Sequence, residues 1–216
     1  MVFQLTEEIA FPNPYLGEPD GFLAVGGDYS TERLLLAYSN GIFPWAAYRH
    51  GQKQWYCPLK RFVIFPNEIH ISHSMRTLIN KQKYAITINK DFEGVIRGCG
   101  EAQNRNEHPY AWLGDEIIEA YIRLHREGWA SSVEIWDEEK LVGGLYGVLM
   151  GNCFIGESMF SKVPSASKLA LIALARWMDA NGGALIDCQL ETSHLRSMGA
   201  RYISYEDYMK ILNTDE

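Results

Sequence analysis

The chain has 216 residues, enough for one large domain or a small unit beside a medium one, and its 47% hydrophobic and 22% charged content is that of a soluble globular protein. A formal net charge of −7 excludes wholesale binding to a nucleic-acid backbone by counterion release, while leaving room for a local basic site. No run of about 18 apolar residues occurs, and the opening MVFQLTEEIAFPNP lacks a basic stretch leading into an apolar one, so a cytoplasmic protein without a membrane span is expected.

Residues 1 to about 62 are rich in Pro, Gly and aromatics and contain one clear helix. Ser30-Thr31-Glu32 is its cap signal, Arg33 to Tyr38 its body, and Asn40-Gly41 its stop. Of two Trp-bearing loops that follow, Trp55 reads as the core of a small domain, while Trp45, beside the rigid Pro44, is open between core and site. Arg61 to Pro66 reads as a strand opening a second domain. A helix with a Ser cap begins within 70–78, residues 84–89 alternate as a strand, Asp91 to Cys99 is a short helix, and Gly100 to His108 is a polar loop. Residues 115–127 form an amphipathic helix with acids first, bases late and Gly128 as its stop.

Three strands in a meander come next, at 131–136, 140–150 and 153–160. Gly143-Gly144 marks a bulge or a close approach, Glu157 is a carboxylate within a strand, and a ligand lying against this sheet is the expectation. A largely apolar helix over 168–180 stops at Asn181-Gly182-Gly183 and leads into the strand Ala184 to Leu190, a β-α-β unit with a right-handed crossover. In that strand the period of two puts Asp187 and Gln189 on one side, with Ile186, Cys188 and Leu190 on the other. A desolvated carboxylate costs several kcal/mol unless paired or used, so Asp187 is a hydrogen-bonded core group, an edge residue facing water, or a functional group.

Cys57, Cys99, Cys153 and Cys188 show no C-x-x-C spacing, and His70 and His73 have no carboxylate or thiol at metal spacing. No disulfide framework and no metal site is expected, and the histidines read as surface or capping residues. The meander, buried helix and following strand are the plan of the GNAT acyltransferases, whose two central strands splay to admit an acyl donor. A coenzyme-A enzyme of that plan needs glycines before the helix, so that backbone amides hold the pyrophosphate. Here that stretch is Ser161 to Lys168, with no glycine and with Pro164, so the donor is not expected to be a coenzyme-A thioester.

Gly26-Gly27-Asp28, Gly41-Ile42-Phe43-Pro44-Trp45, Leu141 to Gly147, Gly156 to Ser161, Ala166-Ser167-Lys168 and Asp187-Cys188-Gln189 together resemble the leucyl/phenylalanyl-tRNA–protein transferases, in register over nearly the whole chain. The fold this implies is α/β (α+β): a small N-terminal domain, residues 1–62, and a GNAT-like aminoacyltransferase domain, residues 63–216, with a mixed, mainly antiparallel sheet flanked by helices. The activity implied is transfer of Leu or Phe, and less readily Met, from aminoacyl-tRNA to the N-terminal Arg or Lys of acceptor proteins, marking them for N-end rule degradation. No cofactor is implied. Because the ester is already activated, catalysis reduces to holding ester and amine together, handling a proton and stabilising the oxyanion.

By the same resemblance Asp187 orients Gln189, which contacts the α-amine or the ester; a carboxamide is a poor base, so positioning is favoured over proton abstraction. The tRNA 2′-hydroxyl could then shuttle the proton. Glu157 would hold the cationic N-terminal residue or the terminal adenosine. Substrate-binding positions implied are Leu145, Phe154, Met159, Ser161, Leu171, Leu174 and Met178, with Trp45 and Trp112 beside the adenosine, where an indole stacks on a base. Around Trp112 the family often has Thr-Trp-Ile-Thr, whereas this chain has Ala111-Trp112-Leu113-Gly114. Basic residues for the acceptor stem are then sought at Lys60, Arg61, Arg76, Lys81 and Lys83. The chain is expected to act as a monomer. Two alternatives are a catalytically silent module that binds N-terminal Arg/Lys or tRNA 3′ ends, and a tRNA-dependent acyltransferase of cell-wall precursors.

Overall fold

The computed structural model describes residues 2–45, 52–105 and 114–214. The first elements are β1 (Phe3–Leu5), β2 (Phe22–Gly26), α1 (Thr31–Ser39), β3 (Phe43–Trp45) and β4 (Gln54–Tyr56). They make a four-stranded sheet of order β1-β2-β4-β3. Ser30 caps α1 by accepting the Arg33 amide at 3.3 Å, and Trp55 is fully buried beneath the sheet with its indole N–H donating to the Gly26 carbonyl at 2.9 Å. The ring is thus buried with its one donor satisfied, as a core indole requires.

The rest of the described chain is β5 (Lys60–Ile64), α2 (His73–Asn80), β6 (Ala85–Ile88), α3 (Phe92–Arg105), α4 (Asp115–Arg126), β7 (Ala130–Asp137), β8 (Lys140–Met150), β9 (Cys153–Ser161), α5 (Ala166–Ala180), β10 (Leu185–Asp187), α6 (Ser193–Ser197), β11 (Arg201–Ser204) and α7 (Tyr205–Leu212). Seven strands form a second sheet in the order β11-β5-β10-β9-β8-β7-β6. Every pair is antiparallel except β9 with β10, which α5 connects. This is the mixed, mainly antiparallel sheet the sequence leads one to expect. One apolar core lies between its first face, α3, α4 and the small unit; a second packs α5 on the opposite face. Among the described residues no helix is long and apolar enough to cross a membrane.

Helix α3 runs to residue 105 rather than stopping at Cys99, so the expected polar loop from 100 is helical in its first part. Gly98 within it serves packing: a Cβ there would lie 2.8 Å from the Phe160 ring, so its absence lets α3 settle onto β9. Gly143 has the same use. Its Cβ would sit 2.4 Å from that of Ala166, so Gly143 admits the first turn of α5, while a Cβ on Gly144 would lie 2.7 Å from the Val133 carbonyl oxygen of β7 and 3.1 Å from Val95 of α3; the pair makes room for packing and not, at this point, for a ligand. Gly143→Ala is accordingly expected to destabilise by about 1–3 kcal/mol through overpacking, which urea titration measures.

The sheet carries two register shifts. Between β7 and β8 one falls at Ile135/Trp136; between β8 and β9, Tyr146 faces Ser158 while Gly147 faces Gly156. Glu157 is therefore the unpaired extra residue of a β-bulge. A bulge bends its strand and re-aims a side chain, and here the re-aimed side chain is the carboxylate that stood out within the apolar strand.

Candidate active site

Strands β9 and β10 pair only as far as Ile155 and Asp187, after which they part. The gap opens a cleft of about 270 Å³ between Gly156–Met159 and Asp187–Leu190, floored by Leu145, Phe154, Leu171, Leu174 and Ile186. The cleft has an apolar end against α5 and a polar end toward the small unit. Trp45 at the end of β3 lines its edge.

The strand expected over 184–190 ends at Asp187, so the simple alternation that put Asp187 and Gln189 side by side does not hold. Gln189 has φ +61°, and its backbone N–H donates to Asp187 Oδ1 at 2.8 Å. An aspartate accepting from the amide two residues on offers the chain a turn in place of a ladder. Cys188 and Leu190 thus border the same cleft as Gln189. The two polar side chains come together all the same, by a turn rather than by pleat.

Asp187 is fully buried and Arg61 is 1% exposed. The guanidinium donates through Nε to Asp187 Oδ1 at 3.3 Å, through one terminal nitrogen to Asp187 Oδ2, and through the other to the Gly41 carbonyl. It is sandwiched between the Phe43 and Tyr208 rings at 5.0 and 4.5 Å. Burial alone would depress the Arg61 pKa, and the Asp187 carboxylate outweighs it, holding the guanidinium well above its usual value. Arg61 therefore does not belong to a basic surface patch. Lys60, the first residue of β5, is exposed, while Arg61 and the three residues after it are buried. Arg76, Lys81 and Lys83 are exposed, as are His70 and His73.

Glu157 takes its partners from three directions. Tyr38 of α1 donates to Oε1 at 2.9 Å, Tyr121 of α4 to Oε2 at 2.8 Å, and the Gln189 amide to Oε1 at 3.2 Å. The two phenol oxygens are themselves in hydrogen-bond contact. Burial pushes the Glu157 carboxyl up to about 7; the tyrosine hydrogen bonds and Arg61 oppose that shift, and Asp187 adds to it. Tyr146, also at the cleft, has a buried hydroxyl with no hydrogen-bond partner among the described residues.

Of the residues picked out from sequence, Asp187, Gln189, Glu157, Trp45, Leu145, Phe154, Met159, Leu171 and Leu174 line the cleft. Met178 is 1% exposed in the core one turn further along α5, and Ser161 is exposed outside the cleft, where its Oγ accepts the Ser167 amide at the start of α5. Trp112 lies outside the described residues. Sequence reasoning missed Tyr38 and Tyr121, and sought in Arg61 a contact to the acceptor stem where the structure makes it the buried partner of Asp187. A signal existed for the tyrosines, since each lies on the buried stripe of its helix, where a phenol needs a partner for its hydroxyl.

An activated acyl group could rest in the apolar end and an amine at the polar end. Among the described residues no group of three or more His, Cys, Asp or Glu side chains is placed to hold a metal, and the four cysteines are unpaired thiols. The meander, the crossover helix α5 and the parting of β9 from β10 reproduce the arrangement expected from the sequence, with the cleft where the strands part. The chain belongs to the leucyl/phenylalanyl-tRNA protein transferase family: residues 63–213 match the family model and residues 27–59 that of its N-terminal domain. It is 48% identical over 209 residues to the leucyl/phenylalanyl-tRNA–protein transferase of Flavobacterium psychrophilum, covering 96% of this chain and 98% of that protein. Against the enzyme of Syntrophobacter fumaroxidans the identity is 49% over 214 residues, covering 98% and 89%. Among solved structures, L-PGS from Bacillus licheniformis aligns with 79% of this chain and 54% of that one at 14% identity and a TM-score of 0.45.

Proposed function

We propose that this enzyme moves Leu or Phe, and less readily Met, from the 3′ aminoacyl-adenosine of tRNA to the N-terminal Arg or Lys of acceptor proteins, which marks them for N-end rule degradation. The observation that carries the reading is the two-ended cleft: an apolar pocket sized for a side chain runs directly into Gln189 and Glu157. The donor side chain sits among Leu145, Phe154, Met159, Leu171 and Leu174. Trp45 stacks on the adenine, and Trp112 is assigned the same role by family resemblance. Asp187, fixed by Arg61, holds the turn that aims Gln189, and the Gln189 amide orients the ester or the attacking amine. The enzyme works in the cytoplasm as a monomer, without a cofactor, and its catalytic domain begins near residue 63.

Purified protein incubated with charged tRNA and a protein beginning with Arg is expected to transfer labelled Leu or Phe without added nucleotide or metal. Binding of Leu-tRNA with no transfer would favour a silent module, and transfer only to cell-wall precursors would favour the other acyltransferase. Gln189→Ala is expected to slow transfer by roughly 10–1,000-fold with tRNA affinity nearly unchanged, the mark of an interaction made chiefly in the transition state.

A further inference from the structure

Glu157, Tyr38 and Tyr121 form a closed ring of contacts: Tyr38 to Oε1, Tyr121 to Oε2, and phenol to phenol. Three contacts need three hydrogens. Each phenol brings one, so with Glu157 ionised the ring is one hydrogen short. If both phenols donate to the carboxylate, nothing lies between their oxygens; if one phenol donates to the other, one carboxylate oxygen loses a donor. A proton on Glu157 completes the set, running from Glu157 to Tyr38, from Tyr38 to Tyr121 and from Tyr121 back to Glu157.

The ring stands where a nucleophile would arrive. Glu157 Oε1 is the oxygen that also faces the Gln189 amide, and both side chains line the cleft. The other titratable or charged groups around the carboxylate are Tyr146 from β8, Asp187 from β10 and Arg61 from β5. The last two already satisfy each other. The carboxyl pushed up to about 7 is then the one group here suited to exchange a proton near neutrality.

We propose that this ring is the proton acceptor for the incoming α-ammonium group, with Glu157 as the base and Tyr38 and Tyr121 as positioning residues. The step rests on the transferase reading above. The ammonium donates to Oε1 and gives up one proton, which closes the ring and leaves a neutral amine. That amine attacks the ester carbonyl, so a C–N bond forms. As the bond to the ribose oxygen breaks, the leaving oxygen takes the second amine proton, and the first returns to solvent when product departs. A carboxamide cannot accept that first proton, so the assignment gives Gln189 and Glu157 separate tasks.

The test measures transfer of Phe from tRNA to a peptide beginning with Arg across the pH range, beside an analogue whose α-amine is replaced by an aminooxy group. The aminooxy group is a far weaker base and arrives neutral. Wild type is expected to show kcat/KM for the amine rising with pH through the neutral region, and no such rise for the analogue. Glu157→Gln is expected to lose roughly 100-fold or more with the amine peptide and to come within roughly 10-fold of wild type with the analogue. Tyr38→Phe and Tyr121→Phe are each expected to slow the amine reaction by roughly 10-fold, and the double variant by no more than either alone, because opening the ring once abolishes it. Undiminished Glu157→Gln activity, failure of the analogue to rescue it, or additive losses in the tyrosine pair would overturn the proposal. A wild-type enzyme with no transfer to either peptide would instead overturn the transferase reading beneath it.

Discussion

Arg61→Met is expected to cost about 3–5 kcal/mol of folding stability, because it leaves the Asp187 carboxylate buried without its cation. The guanidinium carries more than one contact: it pairs with Asp187, donates to the Gly41 carbonyl and fills the space between Phe43 and Tyr208. Methionine restores part of that volume and none of the charge. The informative comparison is the double variant Arg61→Met/Asp187→Leu, which removes the pair together and is expected to regain most of the lost stability, since apolar groups of similar size commonly replace a buried ion pair without loss. It should remain slow in transfer, because the turn that aims Gln189 depends on Asp187 Oδ1. Urea titration read beside single-turnover rates separates the two effects. A double variant as unstable as the single one would show that the pair is not the source of the cost.

Glu157→Gln is expected to do the opposite, trading activity for stability. The Glu157 carboxyl is raised from 4.5 to about 7 in the folded chain, chiefly by burial. The native state therefore holds a proton that the unfolded chain releases above about 4.5, so this group's stabilisation is complete below that pH and is lost as pH rises through about 7. Glutamine does not titrate. The variant is expected to be more stable than wild type by up to about 3 kcal/mol above neutrality, with the gap closing below about pH 5. Melting curves at the two extremes check it; a gap independent of pH would mean that the carboxyl is not strained by burial.

Much of this arrangement was legible in the sequence, and the misses have identifiable causes. The order of strands 130 to 161, the crossover helix and the cap of α1 follow from periodicity and short-range chemistry. The pairing of Glu157 with Gln189 could be anticipated in kind but not in geometry. Its two supports, a bulge at Glu157 and a left-handed residue at Gln189, each break the period-two rule by which strands are read. Arg61 was taken for a surface cation because nothing local distinguishes it from Lys60; its partner lies 126 positions away. Gly143 was taken for a bulge or a possible ligand approach, when it makes room for a neighbouring element. Local signals describe one segment at a time, and these residues answer to two.

That separation along the chain bears on when the enzyme can first act during its own synthesis. Tyr38 and Arg61 leave the ribosome early, yet Glu157 and Asp187 follow 119 and 126 positions behind them. A nascent polypeptide that has folded its amino-terminal unit still has neither base nor carboxamide, and its arginine still awaits a counterion. No translation product lacking residues 187–189 can assemble the machinery, so the transferase stays inert until the ribosome has passed those residues.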